Sequence, residues 1–453
     1  MEFMTYAEFL AMQTGNVAVN NKIGKETYLK YNVKRGLRNK DGTGVVAGIT
    51  HIGDVLGYEM IDGVKVPAEG RLLYRGYELT DLVNGFLTDK RPGFEEIAYL
   101  LIFGDLPNQK KLWKFKKHLA ECRPLPPGFT EAMIFAAPSN DIMNKLARST
   151  LALYSYDESP ELEPGNLKKE LDKAIHLIAR FPVIVANAIA AKRHYIDGES
   201  LIVHRPNPEL STAENFLYTV RNDNSFTPEE AQLLDLCLVL QAEHGGGNNS
   251  AFTCRVLSSS GTDIYSAIAG AVGSLKGPRH GGANRKVTEM FRYIKSEVTN
   301  WEDENEISSY LEKILRREAA DKSGLIYGMG HAIYTLSDPR AVLLKSLAGK
   351  LAETKGMTAE YDLIQRVEKL TPEVFSRVSG IDKVMCANVD LYSGFVYKML
   401  GIPEELFTPL FAIARVVGWC SHRLEEVFSD NKIIRPAYKA ICPEVEYKPL
   451  ELR

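Results

Sequence analysis

Three histidines in the second half of the chain stand where a helical pattern breaks at glycine. His244 lies in EHGGGNN, His280 in GPRHGGAN and His331 in GMGHAIYTLSDPR. A single turn histidine is usually structural, but glycine next to an imidazole lets a ligand approach the backbone closely. The recurrence of this pattern therefore indicates acid–base chemistry on a bound molecule. The histidines predicted to be solvated, because they fall in charged or amphipathic helical patterns, are His118, His176, His194 and His422.

One acidic and three basic side chains accompany these histidines. Asp390 precedes a helical pattern in ANVDLYSG, so it is either a helix cap or a base. Arg415 interrupts the apolar helical run LFAIARVVGW, which predicts a buried guanidinium group that needs an anion. Arg340 in DPRA and Arg435 in IIRPAY complete the set. The set offers a candidate base and candidate ligands for a carboxylate.

Sequence motifs of several other chemistries are absent. No HExxH or HxH spacing suits a metal, no GxxxxGK[ST] or GxGxxG loop suits a phosphate, and no GxSxG elbow suits a serine hydrolase. Six cysteines are scattered without a CxxC pair, which is typical of a reducing compartment. Acid–base chemistry without a metal or a nucleophile is what these patterns leave.

Helical periodicity dominates the segments that carry these residues. TPEEAQLLDLCLVLQAEHGGG opens with a capping box and ends at the glycines after His244, and DIYSAIAGAVGSLKG ends just before His280. Because a new helical pattern starts at Ala283, the partial positive charge of its N-terminus is expected to keep His280 neutral. Near the N-terminus, YEMIDGVKV predicts a hairpin with Asp-Gly at its turn. The chain is predicted to be mainly α.

Composition limits the class of protein. The chain has 453 residues, 45% of them hydrophobic and 25% charged, which predicts a globular protein of two domains. Its formal net charge of −3 gives no electrostatic footprint for nucleic acid or an anionic membrane. The N-terminus lacks a secretory signal pattern, and the apolar stretch FPVIVANAIAA is too short to span a bilayer. A cytoplasmic protein is expected.

Together, the motifs resemble the citrate synthase family. RLLYRGYELTDL, FEEIAYLLIFGDLP, the three histidine motifs, DPRA, NVDLYSG and IIRP occur in the family's order and approximate spacing, over residues 45–440. The combination of GPxHGGAN, GxGHxxYxxxDPR and NVDxYSG is highly specific. The resemblance implies a mainly α, two-domain helical fold with a small N-terminal β-hairpin region. In it, residues 1–283 and 397–453 form a large domain and residues 284–396 a small one.

The resemblance also implies a role for each candidate residue. Asp390 matches the base that removes a methyl proton from acetyl-CoA. His280 matches the hydrogen-bond donor to the thioester carbonyl, and His331 the group that polarises the oxaloacetate carbonyl and protonates the new alkoxide. Positions that match oxaloacetate ligands are His244, Arg340, Arg415 and Arg435, the last contributed across a homodimer interface. Positions that match the CoA site are Leu325, Ile326, Tyr327, Gly328, Met329 and Lys383. The implied reaction is a Claisen-type condensation followed by thioester hydrolysis to citrate and CoA, a step of the tricarboxylic acid cycle that requires no cofactor.

Three alternatives stay open. Arg279 and Ala387 stand where an apolar residue and a proline are common in the family, and both flank the expected acyl-CoA site. A 2-methylcitrate synthase acting on propionyl-CoA is therefore a near alternative. A lyase acting on a citryl-type thioester uses a similar fold. A non-catalytic helical scaffold belongs to another class, and it would not need Asp390, His280 and His331 together.

Overall fold

The computed structural model describes residues 5–39, 41–163, 166–429 and 432–452. The chain forms two compact units, one made of Met1–Ala47 with Arg435–Arg453 and the other of Gly48–Ile434. These boundaries do not coincide with the predicted ones at 283–284 and 396–397. The division into a large domain and an inserted small domain stays a prediction.

The smaller unit has little core of its own. It contains helices α1 (Tyr6–Asn20) and α2 (Lys25–Lys30) and short 3₁₀ turns at Arg35–Leu37 and Leu450–Leu452. Helix α1 begins with a capping box made by Thr5 and Glu8. Many apolar side chains of this unit are exposed, among them Val19 at 76% and Tyr438 at 95%.

The larger unit is built mainly from helices, as predicted. In the described residues these are α3 (Leu79–Thr88), α4 (Phe94–Phe103), α5 (Gln109–Cys122), α6 (Ile142–Ala152), α7 (Leu167–Tyr195), α8 (Thr212–Val220), α9 (Pro228–Gln241), α10 (Asn249–Ser258), α11 (Ile264–Lys276), α12 (Ala283–Glu297), α13 (Glu304–Leu315), α14 (Pro339–Thr354), α15 (Thr358–Ser379), α16 (Asp390–Met399) and α17 (Phe407–Phe428). Shorter helical turns occur at Thr130–Phe135, Leu153–Tyr156 and Glu404–Leu406.

A small antiparallel sheet precedes these helices. Its strands are β1 (Gly53–Ile61), β2 (Val64–Tyr74) and β3 (Tyr77–Glu78). Asp62 and Gly63 join β1 to β2 with φ of 52° and 78°, the left-handed conformation that a two-residue hairpin turn of this type requires. The predicted hairpin is confirmed.

Helices α7 and α17 form the centre of the core. Helix α7 is long and apolar enough to cross a membrane, but 83% of its most apolar stretch is buried inside the protein. The helix is longer than the apolar stretch seen in the sequence, because it begins with polar turns that precede this stretch. Pro182 lies inside the helix and does not end it. Helix α17 packs against α4, α7, α9, α10 and α11 and is buried without interruption from Ala412 to Leu424. An ionisable group in that stretch needs an internal partner.

Candidate active site

Helix α9 leads the chain into the core at His244. Its predicted capping box of Thr227 and Glu230 is present, and His244 follows three residues after the helix ends. His244 is 8% exposed, and its Nε2 atom is buried without a hydrogen-bond partner in the described part of the chain. Burial, together with the charge of Arg340, places the pKa of His244 well below its ordinary value. The imidazole is therefore neutral at physiological pH.

The loop before α14 brings His331 next to His244. The two ring centroids are 5.2 Å apart, with the planes at 83°. The Nδ1 atom of His331 accepts hydrogen bonds from the backbone N–H groups of Ile333 and Tyr334, each at 3.1 Å. A neutral imidazole whose Nδ1 accepts carries its proton on Nε2. His331 is thus prepared to donate from Nε2, as polarisation of a carbonyl oxygen requires.

A buried carboxylate, Asp338, joins Arg340 to the start of α16. It accepts from the guanidinium group of Arg340 at 3.0 and 2.8 Å and from the backbone N–H of Val389 at 3.3 Å. Burial by itself lowers the pKa of Arg340, but the charge of Asp338 more than offsets this and the pKa is raised. Because Val389 immediately precedes Asp390, one carboxylate positions both Arg340 and Asp390.

A short backbone pairing also joins the segments of His331 and Asp390. The N–H of Gly330 donates to the carbonyl of Cys386 at 2.7 Å, and the side-chain amide of Asn388 donates to the carbonyl of Gly330 at 2.9 Å. The side-chain oxygen of Asn388 accepts from the backbone N–H of Asp390 at 3.0 Å. These bonds hold the two candidate catalytic residues in fixed register.

Asp390 is the first residue of α16 but does not cap the helix. The cap residue is Val389, with no side-chain hydrogen bond, so the helix-cap interpretation is wrong. The Asp390 carboxylate is partly buried and accepts no hydrogen bond from the described residues. Burial raises its pKa from 3.8 to about 6, against the lowering effect of Arg340. A carboxylate with a raised pKa and no internal partner is available as a base.

His280 lies in the turn between α11 and α12, and the tautomer of its imidazole depends on the hydroxyl group of Ser250. Nε2 of His280 is 2.9 Å from the hydroxyl oxygen of Ser250. That oxygen accepts from the indole N–H of Trp419 at 3.0 Å and lies 2.9 Å from the side-chain oxygen of Asn248. Ser250 has one hydroxyl proton. Donating it to His280 leaves the imidazole proton on Nδ1, and donating it to Asn248 leaves that proton on Nε2.

One of the glycines beside His280 is required by packing. A Cβ on Gly281 would lie 2.3 Å from the carbonyl oxygen of Leu275 and 2.8 Å from Cγ2 of Thr408. Helix α12 begins at Ala283, which confirms the predicted helix start just after His280. Close packing therefore explains Gly281, for which the sequence pattern predicted close approach of a ligand.

Arg415 is fully buried, as predicted. Its Nε donates to the carbonyl of Gln241 at 2.7 Å, but Nη1 and Nη2 have no hydrogen-bond partner in the described part of the chain. Burial lowers the pKa of Arg415 to about 10. The ring of Phe411 lies 4.8 Å from the guanidinium carbon and 6.2 Å from the His280 ring centroid. Burial and the charge of Arg415 lower the pKa of His280 to about 4.

Two neighbouring buried arginines show what Arg415 lacks. Arg423 contacts the carboxylate of Glu170 at 3.1 Å, and Arg255 contacts that of Glu426 at 2.8 Å. Removing a guanidinium group from water without such a partner is costly. The carboxylate of Glu243 acts on Arg415 only through its charge. We therefore expect a ligand anion to complete the hydrogen bonding of Arg415.

His422 was predicted to be solvated, and that prediction was wrong. It is fully buried on α17, with Nε2 at 2.9 Å from Glu243 and Nδ1 accepting from Arg255 at 2.7 and 3.2 Å. The polar face of α17 packs against charged side chains of other segments and not against water. A usable signal was the seven-residue spacing from Arg415, which places both side chains on one face of the helix.

The predicted CoA-binding residues differ in exposure. Leu325 is exposed and Ile326 is buried. Leu325 and Tyr327 line a shallow surface depression together with Lys286. Lys383 is exposed in the loop between α15 and α16. Glu289 and Asp321 line the same depression and pair with Lys286, and the CoA assignment stays a prediction.

Gly328 and Met329 face inward and connect this surface to α16. Gly328 has φ of +85°, and a Cβ there would lie 2.8 Å from Leu391, so only glycine fits. Met329 pairs with Ala387 in an isolated antiparallel bridge. The contacts of Gly328 and Met329 in the described part of the chain are therefore packing and backbone contacts with other segments of the protein.

Arg435 is the predicted ligand that lies outside the larger unit. It begins the C-terminal segment of the smaller unit, in irregular backbone, and is exposed. The sequence predicts an extended and packed segment here. The backbone is not helical, as expected, but the side chain of Arg435 is exposed in the part of the chain that the structure describes. Its place in a partner's site stays a prediction.

The predicted catalytic residues and the other predicted oxaloacetate ligands come together in the larger unit. Arg340, His331, Arg415 and His280 all contribute to the lowered pKa of His244, and Arg340 and Arg415 both act on Asp390. Arg340 and Arg415 therefore lie within electrostatic range of both His244 and Asp390, and His331 and His280 lie within range of His244. A mainly helical fold that holds such a cluster defines an acid–base enzyme with a site for a small anion.

Comparison with known proteins agrees with this class. The family model for the citrate synthase C-terminal domain matches residues 41–437. A citrate synthase from Synechocystis sp. is 37% identical, covering 81% of this chain and 84% of that one. A 2-methylcitrate synthase from Shewanella oneidensis is 31% identical, covering 86% and 94%. The structure of a Thermoplasma acidophilum citrate synthase in a ternary complex with carboxymethyl coenzyme A and oxaloacetate superposes with a TM-score of 0.74 at 26% identity, covering 93% and 99%. The chain belongs to the citrate synthase family.

Proposed function

We propose that this site condenses acetyl-CoA with oxaloacetate to give citrate and CoA, with Asp390, His280 and His331 in the roles that the resemblance implies. The observation that carries the proposal is a set of buried hydrogen-bond donors without partners beside a carboxylate of raised pKa. Nη1 and Nη2 of Arg415 are such donors, and Nε2 of His244 is a buried polar atom that also has no partner in the described part of the chain. A small dianion such as oxaloacetate supplies the acceptors they lack.

In the first step, the Asp390 carboxylate removes a proton from the methyl group of acetyl-CoA, and the enolate oxygen accepts a hydrogen bond from His280. The pKa of about 6 supports this role, because it makes Asp390 a stronger base than an exposed aspartate. The lowered pKa of His280 supports a neutral donor. In this step Ser250 donates a hydrogen bond to Nε2 of His280. The imidazole proton is then on Nδ1, which donates the hydrogen bond to the enolate oxygen.

In the second step, the enolate carbon attacks the keto carbon of oxaloacetate, and the keto oxygen takes a proton from Nε2 of His331. The two backbone donors to Nδ1 support this assignment. Arg340, Arg415 and His244 bind the substrate carboxylates. Water then hydrolyses the citryl thioester, CoA leaves as its thiol, and His331 and Asp390 return to their starting protonation states.

A homodimer is part of this proposal, with the partner subunit's Arg435 binding a carboxylate of oxaloacetate. Support comes from the exposed side chain of Arg435 and from the many exposed apolar residues of the smaller unit, which a second copy would cover. We also propose that the enzyme acts in the cytoplasm and that its reaction is a step of the tricarboxylic acid cycle. The six free cysteines are consistent with a reducing compartment. None of the proposed steps transfers an electron, so they require no redox cofactor.

A thiol-release assay tests the proposed function and separates its alternatives. With oxaloacetate present, we expect kcat/KM for acetyl-CoA to exceed that for propionyl-CoA by about tenfold or more, because one added methylene changes discrimination by this order. An equal or higher value for propionyl-CoA would identify a 2-methylcitrate synthase. Thiol release without oxaloacetate would contradict a condensation, and absence of release with either thioester would favour a scaffold.

The pH dependence of kcat/KM is a second test. We expect it to fall by about tenfold per pH unit below about pH 6, because only the ionised Asp390 carboxylate accepts a proton. His280, with a pKa of about 4, stays neutral over most of this range, so the loss reports on the carboxylate. The measurement is a pH–rate profile, with circular dichroism at each pH to verify folding. A flat profile down to about pH 5 would remove Asp390 from the role of base.

A further inference from the structure

The hydroxyl group of Tyr334 is buried without a partner. Tyr334 is 2% exposed, and its hydroxyl oxygen has no hydrogen-bond partner in the described part of the chain. Buried tyrosine hydroxyl groups usually have one, because leaving a polar group unsatisfied is costly. Unpartnered buried atoms also occur on His244 and Arg415. Tyr334 shares this property with His244 and Arg415, two of the proposed ligands of oxaloacetate.

The ring of Tyr334 lies among those ligands. It stacks on the His331 ring, with centroids 4.5 Å apart and planes at 28°, and meets the His244 ring edge-on at 5.6 Å. The guanidinium carbon of Arg340 is 5.6 Å from the ring centroid. Three of the side chains proposed to bind or polarise oxaloacetate thus surround one tyrosine.

Its hydroxyl oxygen is within electrostatic range of both buried arginines of the site. Ionisation of Tyr334 would raise the pKa of Arg340 and of Arg415, while burial keeps the phenol in its neutral form by raising its own pKa. A neutral hydroxyl group within range of two cations acts as an additional donor to an anion that they bind. It gains a partner only when that anion is bound.

Local contacts hold Tyr334 in place before any ligand binds. Its backbone N–H donates to Nδ1 of His331 at 3.1 Å. The next residue, Thr335, accepts through its hydroxyl oxygen from the backbone N–H of Ala68 on β2 at 3.2 Å and donates its hydroxyl proton to the carbonyl of Gly57 on β1. The sheet therefore fixes the loop that carries both His331 and Tyr334, and the hydroxyl group is preorganised for its acceptor.

We propose that Tyr334 is a further oxaloacetate-binding residue, whose hydroxyl group donates a hydrogen bond to the carboxylate bound by Arg340 and Arg415. The inference rests on the proposed function. The sequence motif GxGHxxYxxxDPR contains this tyrosine three residues after His331, but its pattern alone gives no reason to separate a ligand from a packing residue.

Replacing Tyr334 by phenylalanine tests the inference, because the variant keeps the ring and removes only the hydroxyl group. We expect KM for oxaloacetate to rise on the order of tenfold or more, as for a hydrogen bond to a charged group, with a smaller change in kcat. The Tm of the ligand-free protein should stay equal or rise, because an unsatisfied buried group is removed. The rise in Tm that oxaloacetate induces should become smaller.

Tyr265→Phe is the matched control. The Tyr265 hydroxyl group on α11 donates to Asp157 at 2.7 Å, so its removal should lower the Tm and leave KM for oxaloacetate unchanged. An unchanged KM and an unchanged oxaloacetate-induced rise in Tyr334→Phe would overturn the inference. A lower ligand-free Tm would also overturn it, because the hydroxyl group would then have a partner in the folded chain. Wild-type protein that oxaloacetate stabilises but that releases no thiol would contradict the proposed reaction, and the Tm comparison would still decide on Tyr334.

Discussion

Replacing Asp390 by asparagine is expected to lower kcat on the order of 10²- to 10⁴-fold, the usual contribution of a general base. The amide has the same shape but cannot accept the methyl proton of acetyl-CoA. Its position should not change, because the backbone N–H of residue 390 donates to Asn388 and the preceding residue is held by Asp338. Oxaloacetate should therefore still bind, which its effect on Tm will measure.

The same substitution should raise the Tm at neutral pH. The pKa of Asp390 is about 6 in the folded protein, above its ordinary 3.8, so the folded state binds the proton more tightly than the unfolded chain. The tighter proton binding stabilises the folded protein. This stabilisation is fully present below about pH 4 and is lost as the pH rises through about 6. A neutral asparagine avoids the burial of charge at pH 7. Lower turnover together with higher stability is the signature of a residue retained for chemistry.

Asp263→Asn is the control for a helix-cap role. Asp263 caps α11 by accepting from the backbone N–H of Ser266 at 2.8 Å, and asparagine caps about as well as aspartate. We expect little change in kcat or Tm for this variant. A fall of only a few-fold in kcat for Asp390→Asn, similar to the control, would show that Asp390 is not the base.

Local elements of this fold were predictable because their causes lie within a few residues. The hairpin turn needs two adjacent residues with positive φ, and Asp62-Gly63 supplies them. The start of α9 needs a capping box, and Thr227 with Glu230 supplies it. The burial of Arg415 was also readable, because every neighbour on both sides of it is apolar.

Contacts between distant segments were not predictable in the same way. His422 resembles a solvated residue until Arg255, 167 residues earlier in the chain, is placed against it. Ser250 resembles an ordinary helix residue until α17 and the α11–α12 turn bring Trp419 and His280 to its hydroxyl group. In each case the tertiary partner, and not local periodicity, decides whether a polar side chain is solvated or part of the site.

Arg435→Leu is expected to raise KM for oxaloacetate on the order of a hundredfold, the loss of a charge-assisted, bidentate hydrogen bond to a carboxylate. The fold should not change, because Arg435 is exposed within its own chain. Lys439→Leu is the matched control, since it removes another exposed cation from the same segment. It should leave KM unchanged. Equal changes in the two variants would indicate a general effect of charge and not a ligand.

Mixing Arg435→Leu chains with Asp390→Asn chains decides which subunit supplies the arginine. Where each site takes Asp390 from one chain and Arg435 from its partner, a mixed dimer has one site with both residues intact and one site with neither. Random exchange of equal amounts gives about half mixed dimers, so about a quarter of all sites become competent. Activity at oxaloacetate concentrations too low for Arg435→Leu alone should therefore return from near zero to about a quarter of the wild-type value.

Where Arg435 serves its own chain, every site of the mixed dimer carries one substitution. Absence of recovery despite measured subunit exchange would therefore place Arg435 within its own chain's site or outside the chemistry.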